Sequence, residues 1–197
     1  METIAKQSGN IVGDTKKYII NTARRLFSKY SYLGVSMSDI AKKLNITKAA
    51  LYYHFAGKAE IYENVIDNVF NDLNLSIAQA MSESTTDKKL HRLIKNYLDF
   101  GFKEKNLIKS LVLKLSPNEA KITKHITRSR EQIVNLIQPV IEEVSASKKL
   151  TEKVDSRLLT SLLTSMMDGL LLEYSFLNKK IDSEKISNQI IAFLFQN

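Results

Sequence analysis

The chain lacks cysteine and tryptophan, and its 197 residues include only six glycines and two prolines. Without cysteine there can be no disulfides and no thiolate chemistry. So few turn-forming residues argue against a β-sandwich or barrel, which needs many tight turns. No apolar run approaches the ~20 residues of a membrane span, and residues 1–17 lack the apolar stretch of a secretory signal. These absences favour a cytoplasmic protein.

Groups that carry out catalysis are also scarce. The three histidines, His54, His91 and His125, lie in different predicted elements, without a supporting nucleophile, paired acids or metal-ligand spacing. No glycine-rich loop is present to hold a nucleotide phosphate. The sequence therefore predicts a protein that is not an enzyme and that uses neither a metal nor a cofactor. Turnover of a substrate would favour the enzyme alternative.

Positive charge is concentrated at one end of the chain. The net charge is +8, and residues 1–60 contribute ten basic and four acidic side chains, or +6 (10 − 4), leaving +2 for the remainder. A basic segment on a near-neutral body indicates an anionic partner for that segment. Charge alone does not distinguish a nucleic-acid partner from an acidic membrane surface, or either of them from a general bias towards lysine.

The apolar periodicity is helical nearly throughout, which predicts an all-α fold. A first helix is expected from an N-cap at Asp14 or Thr15, after a flexible tail at 1–13. Ser36 and Asp39 can form a capping box for a short second helix. Asn45 tolerates the left-handed conformation of a tight turn, and Thr47 can cap a third helix, "KAALYYHF". Three such helices describe a helix-turn-helix unit.

The third helix carries side chains suited to DNA. Leu51 and Phe55 are four positions apart and point inward. Three consecutive ring residues, 52–54, cannot all face the same core. The outward residues are Thr47, Tyr52 and His54, which can donate to phosphates, Lys48, which can reach a base or a phosphate, Tyr53, and Ala49 and Ala50, which permit close approach. The pattern favours a helix that enters the major groove of DNA over an aromatic helix that is buried in the core.

Residues 34–66 resemble the DNA-binding domain of the tetracycline-repressor (TetR) family. The shared pattern is Gly34, Ser36, Ile40, Ala41, Leu51, Tyr52, Phe55 and Lys58. The resemblance implies that Ser36, Tyr52, His54 and Lys58 are phosphate anchors, that Lys48, Ala49 and Tyr53 face bases, and that Met37 occupies a base-reading position. The chain departs from the family at Asn45, which replaces a turn glycine, and at Ala49–Ala50, which replace Gly-Thr. A DNA-binding domain is predicted over 14–60.

The resemblance implies a helical ligand-binding and dimerisation domain over 61–197. Helices near 154–177 and 183–196 are apolar on more than one face, which favours a homodimer interface over a wholly internal core. Ser116, Pro117 and Glu119 predict a helix start, Pro139 a kink, and Thr151 and Ser183 two further caps. Candidate pocket residues are Tyr97, Phe100, Phe102, Met166, Met167 and Tyr174.

These features together predict a sequence-specific DNA-binding transcriptional regulator. We expect a homodimeric repressor that a small, largely apolar ligand releases from a palindromic operator. The alternatives are an activator, a DNA-binding protein that needs no ligand, and, further from the pattern, a membrane-surface protein or an enzyme. Salt-insensitive DNA binding would count against the main prediction, because phosphate contacts release counterions.

Overall fold

The computed structural model describes residues 2–108, 120–147 and 155–195, and all regular elements in these ranges are helical. The predicted all-α fold is confirmed. In chain order the elements are α1 (Glu2–Tyr30), α2 (Met37–Leu44), α3 (Lys48–His54), α4 (Lys58–Ala78), a 3₁₀ turn (Gln79–Ser82), α5 (Thr86–Lys103), α6 (Ala120–Ser147), α7 (Ser156–Phe176) and α8 (Ser183–Phe195).

The described residues divide into two compact units. The first contains residues 2–68 and 120–125, and the second contains residues 69–108, 126–147 and 155–195. The division falls inside α4, whereas the sequence predicted a boundary between residues 60 and 61. The domain limits remain a prediction.

The first unit is built around the inward stripe of α1. Ile19, Ala23 and Phe27 follow one another at four-residue intervals and are buried, as the helical period requires. Rings of Phe27, Tyr32 and Tyr62 form a cluster with centroids 4.7 to 6.1 Å apart. This cluster joins the end of α1, the connection to α2 and the first turns of α4.

The start of α1 differs from the sequence prediction. The helix begins at Glu2, so residues 2–13 belong to it and Asp14 and Thr15 lie in its interior. Gly9 and Gly13 each disfavour helix by about 1 kcal/mol relative to alanine. Glycine does not break a helix as proline does, and residues 2–15 contain no proline. The expected N-cap at Asp14 or Thr15 was therefore wrong.

The second unit has its own apolar core. Buried residues from α4 to α8 form one cluster, including Ile77, Leu93, Ile137 and Leu163. Gly101 of α5 lies directly against α7. A Cβ atom at this position would overlap the methyl carbons of Leu171, so a larger residue there would have to displace the Leu171 side chain.

Two helix starts in the second unit are capped by aspartates rather than by the expected residues. Asp155 accepts from the Leu158 amide at 2.9 Å, while the expected cap, Thr151, lies outside the described residues. Asp182 accepts from the Lys185 amide at 3.0 Å, and Ser183 is already the first helical residue. Both types of side chain can cap, so the sequence did not decide between neighbours.

Two further predictions concern α6. Its expected start at Ser116, Pro117 and Glu119 lies outside the described residues. Pro139 lies within the helix, which continues to Ser147. The proline removes one backbone hydrogen bond without ending the helix. The kink predicted there stays a prediction.

Candidate nucleic-acid interface

The turn between α2 and α3 is formed as the sequence predicts. Asn45 adopts the left-handed conformation, with φ 55° and ψ 42°. The backbone N–H of Ile46 donates to the carbonyl of Ala41 at 3.1 Å, which closes the end of α2. Thr47 then accepts a hydrogen bond from the Ala50 amide at 3.1 Å and starts α3. Accepting uses only an oxygen lone pair, so the Thr47 hydroxyl can still donate to a phosphate.

Helix α3 is held by two side chains, and most of its other residues are exposed. Leu51 is fully buried and Phe55 is 2% exposed. The exposed positions are the predicted DNA-facing residues Thr47, Lys48, Ala49, Ala50, Tyr52 and Tyr53. Tyr53 is 80% exposed and Tyr52 is 50% exposed. Two large rings beside a lysine and two small residues provide a surface that can contact both bases and phosphates.

His54 lies at the end of this surface and is half-buried. Its ring packs edge-on against Tyr53, with the ring centroids 5.2 Å apart. Among the described residues, its Nδ1 atom is buried without a hydrogen-bond partner. The structure therefore positions His54 through its packing, and the phosphate contact expected for it stays a prediction.

Ser36 has a structural role that occupies its polar atoms. Its hydroxyl donates to a carboxylate oxygen of Asp39 at 2.6 Å and accepts from the Asp39 amide at 3.2 Å. Its own N–H donates to the same carboxylate at 2.8 Å, which completes the predicted capping box. The hydrogen bonds from Ser36 lower the pKa of Asp39. In this geometry the Ser36 hydroxyl proton is used within the protein and does not point to a DNA phosphate.

Lys58 is held inside the first unit. Its ammonium donates to the carbonyl of Tyr32 at 3.0 Å and lies 4.1 Å from the centroid of the Tyr32 ring. The side chain is half-buried beside the aromatic cluster. Lys58 therefore fastens the start of α4 to the connection between α1 and α2. Only one of the three N–H donors of the ammonium is used by the Tyr32 carbonyl, so the phosphate contact expected for Lys58 stays a prediction.

Met37 is placed differently from the prediction. It is 8% exposed and belongs to the buried residues of α2, together with Ile40, Ala41 and Leu44. The spacing 37, 40, 41, 44 is the inward stripe of a helix, so the apolar side chain joins the core. Met37 is therefore removed from the candidate DNA-facing residues.

The six candidate pocket residues all lie in or against the core of the second unit. Tyr97 and Met167 are buried, whereas Phe100, Phe102, Met166 and Tyr174 are partly buried against the same cluster. The structure adds two polar residues that the sequence analysis missed. The Tyr97 hydroxyl donates to Asp168 at 2.6 Å, and Asp168 forms an ion pair with Arg130. Burial, reinforced by the negative charge of Asp168, raises the pKa of Tyr97.

A sequence signal for this group did exist. Asp168 is an acidic residue within the apolar run "SMMDGLLL", and a charge at such a position needs a partner. Its partners lie 71 and 38 positions away in the chain, at Tyr97 and Arg130 (168 − 97 and 168 − 130). Local periodicity could not identify them.

Other kinds of site find no support in the described residues. They contain no group of three or more histidine, aspartate or glutamate side chains that could hold a metal ion. None of the helices in the described ranges is long and apolar enough to cross a membrane. The outer face of α3 remains the principal candidate site.

Comparison with known proteins agrees with this geometry. Residues 19–65, from the core stripe of α1 into α4, match the family model described as bacterial regulatory proteins of the TetR family. The chain carries the DNA-binding domain of the TetR family. The match covers α2, the turn and α3, which are the elements that position the candidate interface.

Similar proteins include a transcriptional regulator and a nucleoid occlusion factor. The biofilm operon negative transcriptional regulator IcaR of Staphylococcus epidermidis is 48% identical over 56 residues, or 28% of this chain and 30% of IcaR. The nucleoid occlusion factor SlmA of Haemophilus influenzae is 26% identical over 179 residues, or 86% of this chain and 78% of SlmA. In fold, this chain is similar to the transcriptional regulator FadR of Bacillus subtilis, solved in complex with stearoyl-CoA. That comparison has a TM-score of 0.76 at 18% identity and covers 90% of this chain and 96% of FadR.

Proposed function

We propose that this TetR-family protein binds a DNA operator through the outer face of α3 and regulates transcription as a dimeric repressor. The single observation that carries the proposal is the exposed surface of α3 behind a capped tight turn. Two tyrosines on that surface are at least half exposed and lie beside an exposed lysine and two exposed alanines, a combination that can contact both phosphates and bases. The excess of positive charge in residues 1–60 supports a polyanionic partner.

Substitution of Tyr53 tests the DNA-binding surface. Tyr53→Ala should weaken binding to an operator fragment recovered from genomic DNA and should reduce its preference over a shuffled duplex. Tyr18→Ala is the matched control, because Tyr18 is also exposed, at 59%, but lies on α1. Equal effects of the two substitutions on the preference would contradict the assignment of α3 as the reading helix.

A homodimer is proposed from the apolar residues that α7 and α8 expose. Leu158 and Leu162 are 56% and 50% exposed on one face of α7, and Phe193 of α8 is 77% exposed. Covering such residues is the main stabilising term in most subunit interfaces. A two-fold dimer also suits a palindromic operator, whose half-sites lie one DNA turn, or ~34–36 Å, apart.

The dimer is tested by placing a charge in the proposed interface. Phe193→Glu should shift the sedimentation coefficient at micromolar concentration towards that of a monomer and should weaken operator binding. Leu33→Glu, at an apolar position 58% exposed in the first unit, is the control and should remain dimeric. A dimer that persists in Phe193→Glu and dissociates in Leu33→Glu would move the interface elsewhere.

The second unit is the proposed site of a small effector with an apolar body. Phe100, Met166 and Tyr174 are partly buried against its core, and methionine side chains adapt readily to ligand shape. Arg130 is paired with Asp168, and its guanidinium has further N–H groups that can donate to a polar end of the ligand. Binding would bias an equilibrium between a DNA-binding and a released state.

Stearoyl-CoA is a suitable first probe, since it is the ligand named for the FadR structure. We expect an effector to raise the melting temperature and to release the operator at the same concentrations, with free coenzyme A as the control for the headgroup. A panel of apolar compounds that changes neither property would favour the alternative of a ligand-independent regulator.

Repression is favoured over activation by the name of the relative IcaR, a negative transcriptional regulator. Deletion of the gene should raise transcription from the promoter that carries the operator. A fall in transcription would instead identify an activator. Because the operator lies on the chromosome, we propose that the protein acts in the cytoplasm.

A further inference from the structure

Lys16 of α1 lies at the end of the recognition helix α3. Its ammonium is 5.5 Å from the centroid of the Phe55 ring, and Phe55 is the C-cap residue of α3. The lysine side chain itself is exposed. A residue 39 positions away in the chain (55 − 16) thus places a positive charge at the carboxyl end of α3.

The helical period explains why Lys16 points in this direction. Lys16 shares the core-facing side of α1 with Ile20, Ala23 and Phe27, which follow it by four, seven and eleven positions and are buried. At Lys16 the helix has run past the core, so the same side of α1 passes over the end of α3. Lys17 is about 100° further round the helix and is exposed on another side.

The dimensions of α3 suggest what this charge does. The helix has seven residues and is therefore about 10 Å long. Lys48 is its first residue, and the Lys16 ammonium lies beside the ring of its C-cap residue, Phe55. The major groove is about 12 Å wide. A helix of this length in the groove brings the cations at its two ends close to the phosphates that border the groove.

We propose that Lys16 is a further DNA-binding residue, which contacts a backbone phosphate at the carboxyl end of α3. The proposal rests on the proposed DNA-binding function. It gives the phosphate contact at this end of the interface to a lysine of α1, while Lys58 is engaged with the Tyr32 carbonyl. Lys16 would orient the protein on the duplex without reading its sequence.

The test compares Lys16→Met with Lys17→Met in the full-length protein. Both substitutions remove one positive charge from adjacent positions of α1, and methionine at position 16 keeps an aliphatic side chain over Phe55. Affinity is measured by fluorescence anisotropy across a range of salt concentrations, with an operator duplex selected by the wild-type protein. Circular dichroism and melting temperatures verify that both variants are folded.

Lys16→Met should weaken binding about tenfold per protomer at 0.1 M salt, and the slope of log affinity against log salt should fall by about 0.9 per protomer. The loss should be the same for selected and shuffled duplexes, and Lys16→Arg should restore most of it. Lys17→Met should change affinity less than about twofold.

Two negative results can be told apart. If the wild-type protein binds no duplex in a salt-dependent way, the proposed function fails. If the wild-type protein binds, but Lys16→Met and Lys17→Met behave alike, the assignment of Lys16 alone is overturned. A loss confined to the selected duplex would also overturn it, because a phosphate contact carries no sequence preference.

Discussion

Replacing Lys58 with methionine should destabilise the protein even when no DNA is present. The substitution keeps most of the aliphatic stem but removes the hydrogen bond to the Tyr32 carbonyl, 3.0 Å long, and the ammonium 4.1 Å from the Tyr32 ring. A hydrogen bond to a charged group contributes about 1.5–3 kcal/mol. A partly exposed cation–π contact adds about 0.5–1 kcal/mol. Desolvation of the half-buried ammonium offsets part of this gain, so we expect a net loss of about 2 kcal/mol.

The assay is denaturant unfolding followed by circular dichroism, at one protein concentration because a dimer's stability depends on it. Lys48→Met is the matched control, since Lys48 is exposed on α3. It should change stability by less than about 0.5 kcal/mol and should instead weaken or alter DNA recognition. A change below about 0.5 kcal/mol for Lys58→Met would show that the contacts with Tyr32 do not stabilise the fold, and would leave Lys58 as a purely DNA-binding residue.

Three other substitutions and conditions test individual parts of the fold. Gly101→Ala should lower the free energy of unfolding by about 1–3 kcal/mol, because the added methyl group overlaps Leu171, and thermal denaturation measures this. The pKa of Asp39 is lowered in the folded state, so the contribution of its capping box is present above the usual value of 3.8 and is lost on further acidification. Circular dichroism between about pH 6 and about pH 2 should therefore show that Asp39→Asn loses less helicity on acidification than the wild-type protein. Tyr97→Phe should destabilise the second unit by about 1–2 kcal/mol, since Asp168 loses a buried hydrogen-bond donor, and chemical denaturation measures this loss.

Each of these expectations has a result that would contradict it. Gly169→Ala is the control for Gly101, because a Cβ atom at Gly169 meets nothing within 4 Å, and equal losses would show that packing against Leu171 is not the cause. An unchanged acid response in Asp39→Asn would mean that the capping box does not contribute to acid sensitivity. Full stability of Tyr97→Phe would mean that Asp168 is satisfied without the tyrosine hydroxyl.

The local features of the first unit were predictable because they depend on neighbouring residues. The Ser36–Asp39 box, the left-handed Asn45 and the Thr47 cap each involve positions at most three apart, and all three are confirmed. The inward direction of Leu51 and Phe55 follows from the helical period and is also confirmed.

The features that sequence analysis missed depend on distant partners. Lys58 is bound to a carbonyl 26 positions away, and the hydroxyl of Tyr97 meets Asp168 at a separation of 71 residues. Met37 was assigned to the interface by resemblance, although its own spacing with Ile40 and Leu44 indicated the core. The burial of Met37 therefore follows the helical period and not the role implied by the family resemblance.

The central claim is that two α3 helices of one dimer read adjacent major grooves. Sequencing genomic fragments captured by the full-length protein tests this claim most directly. A dimer with this geometry should enrich an inverted repeat whose half-sites are centred about 10–10.5 base pairs, or a small multiple of that, apart. Recovery of fragments with no shared sequence beyond the input DNA would contradict it.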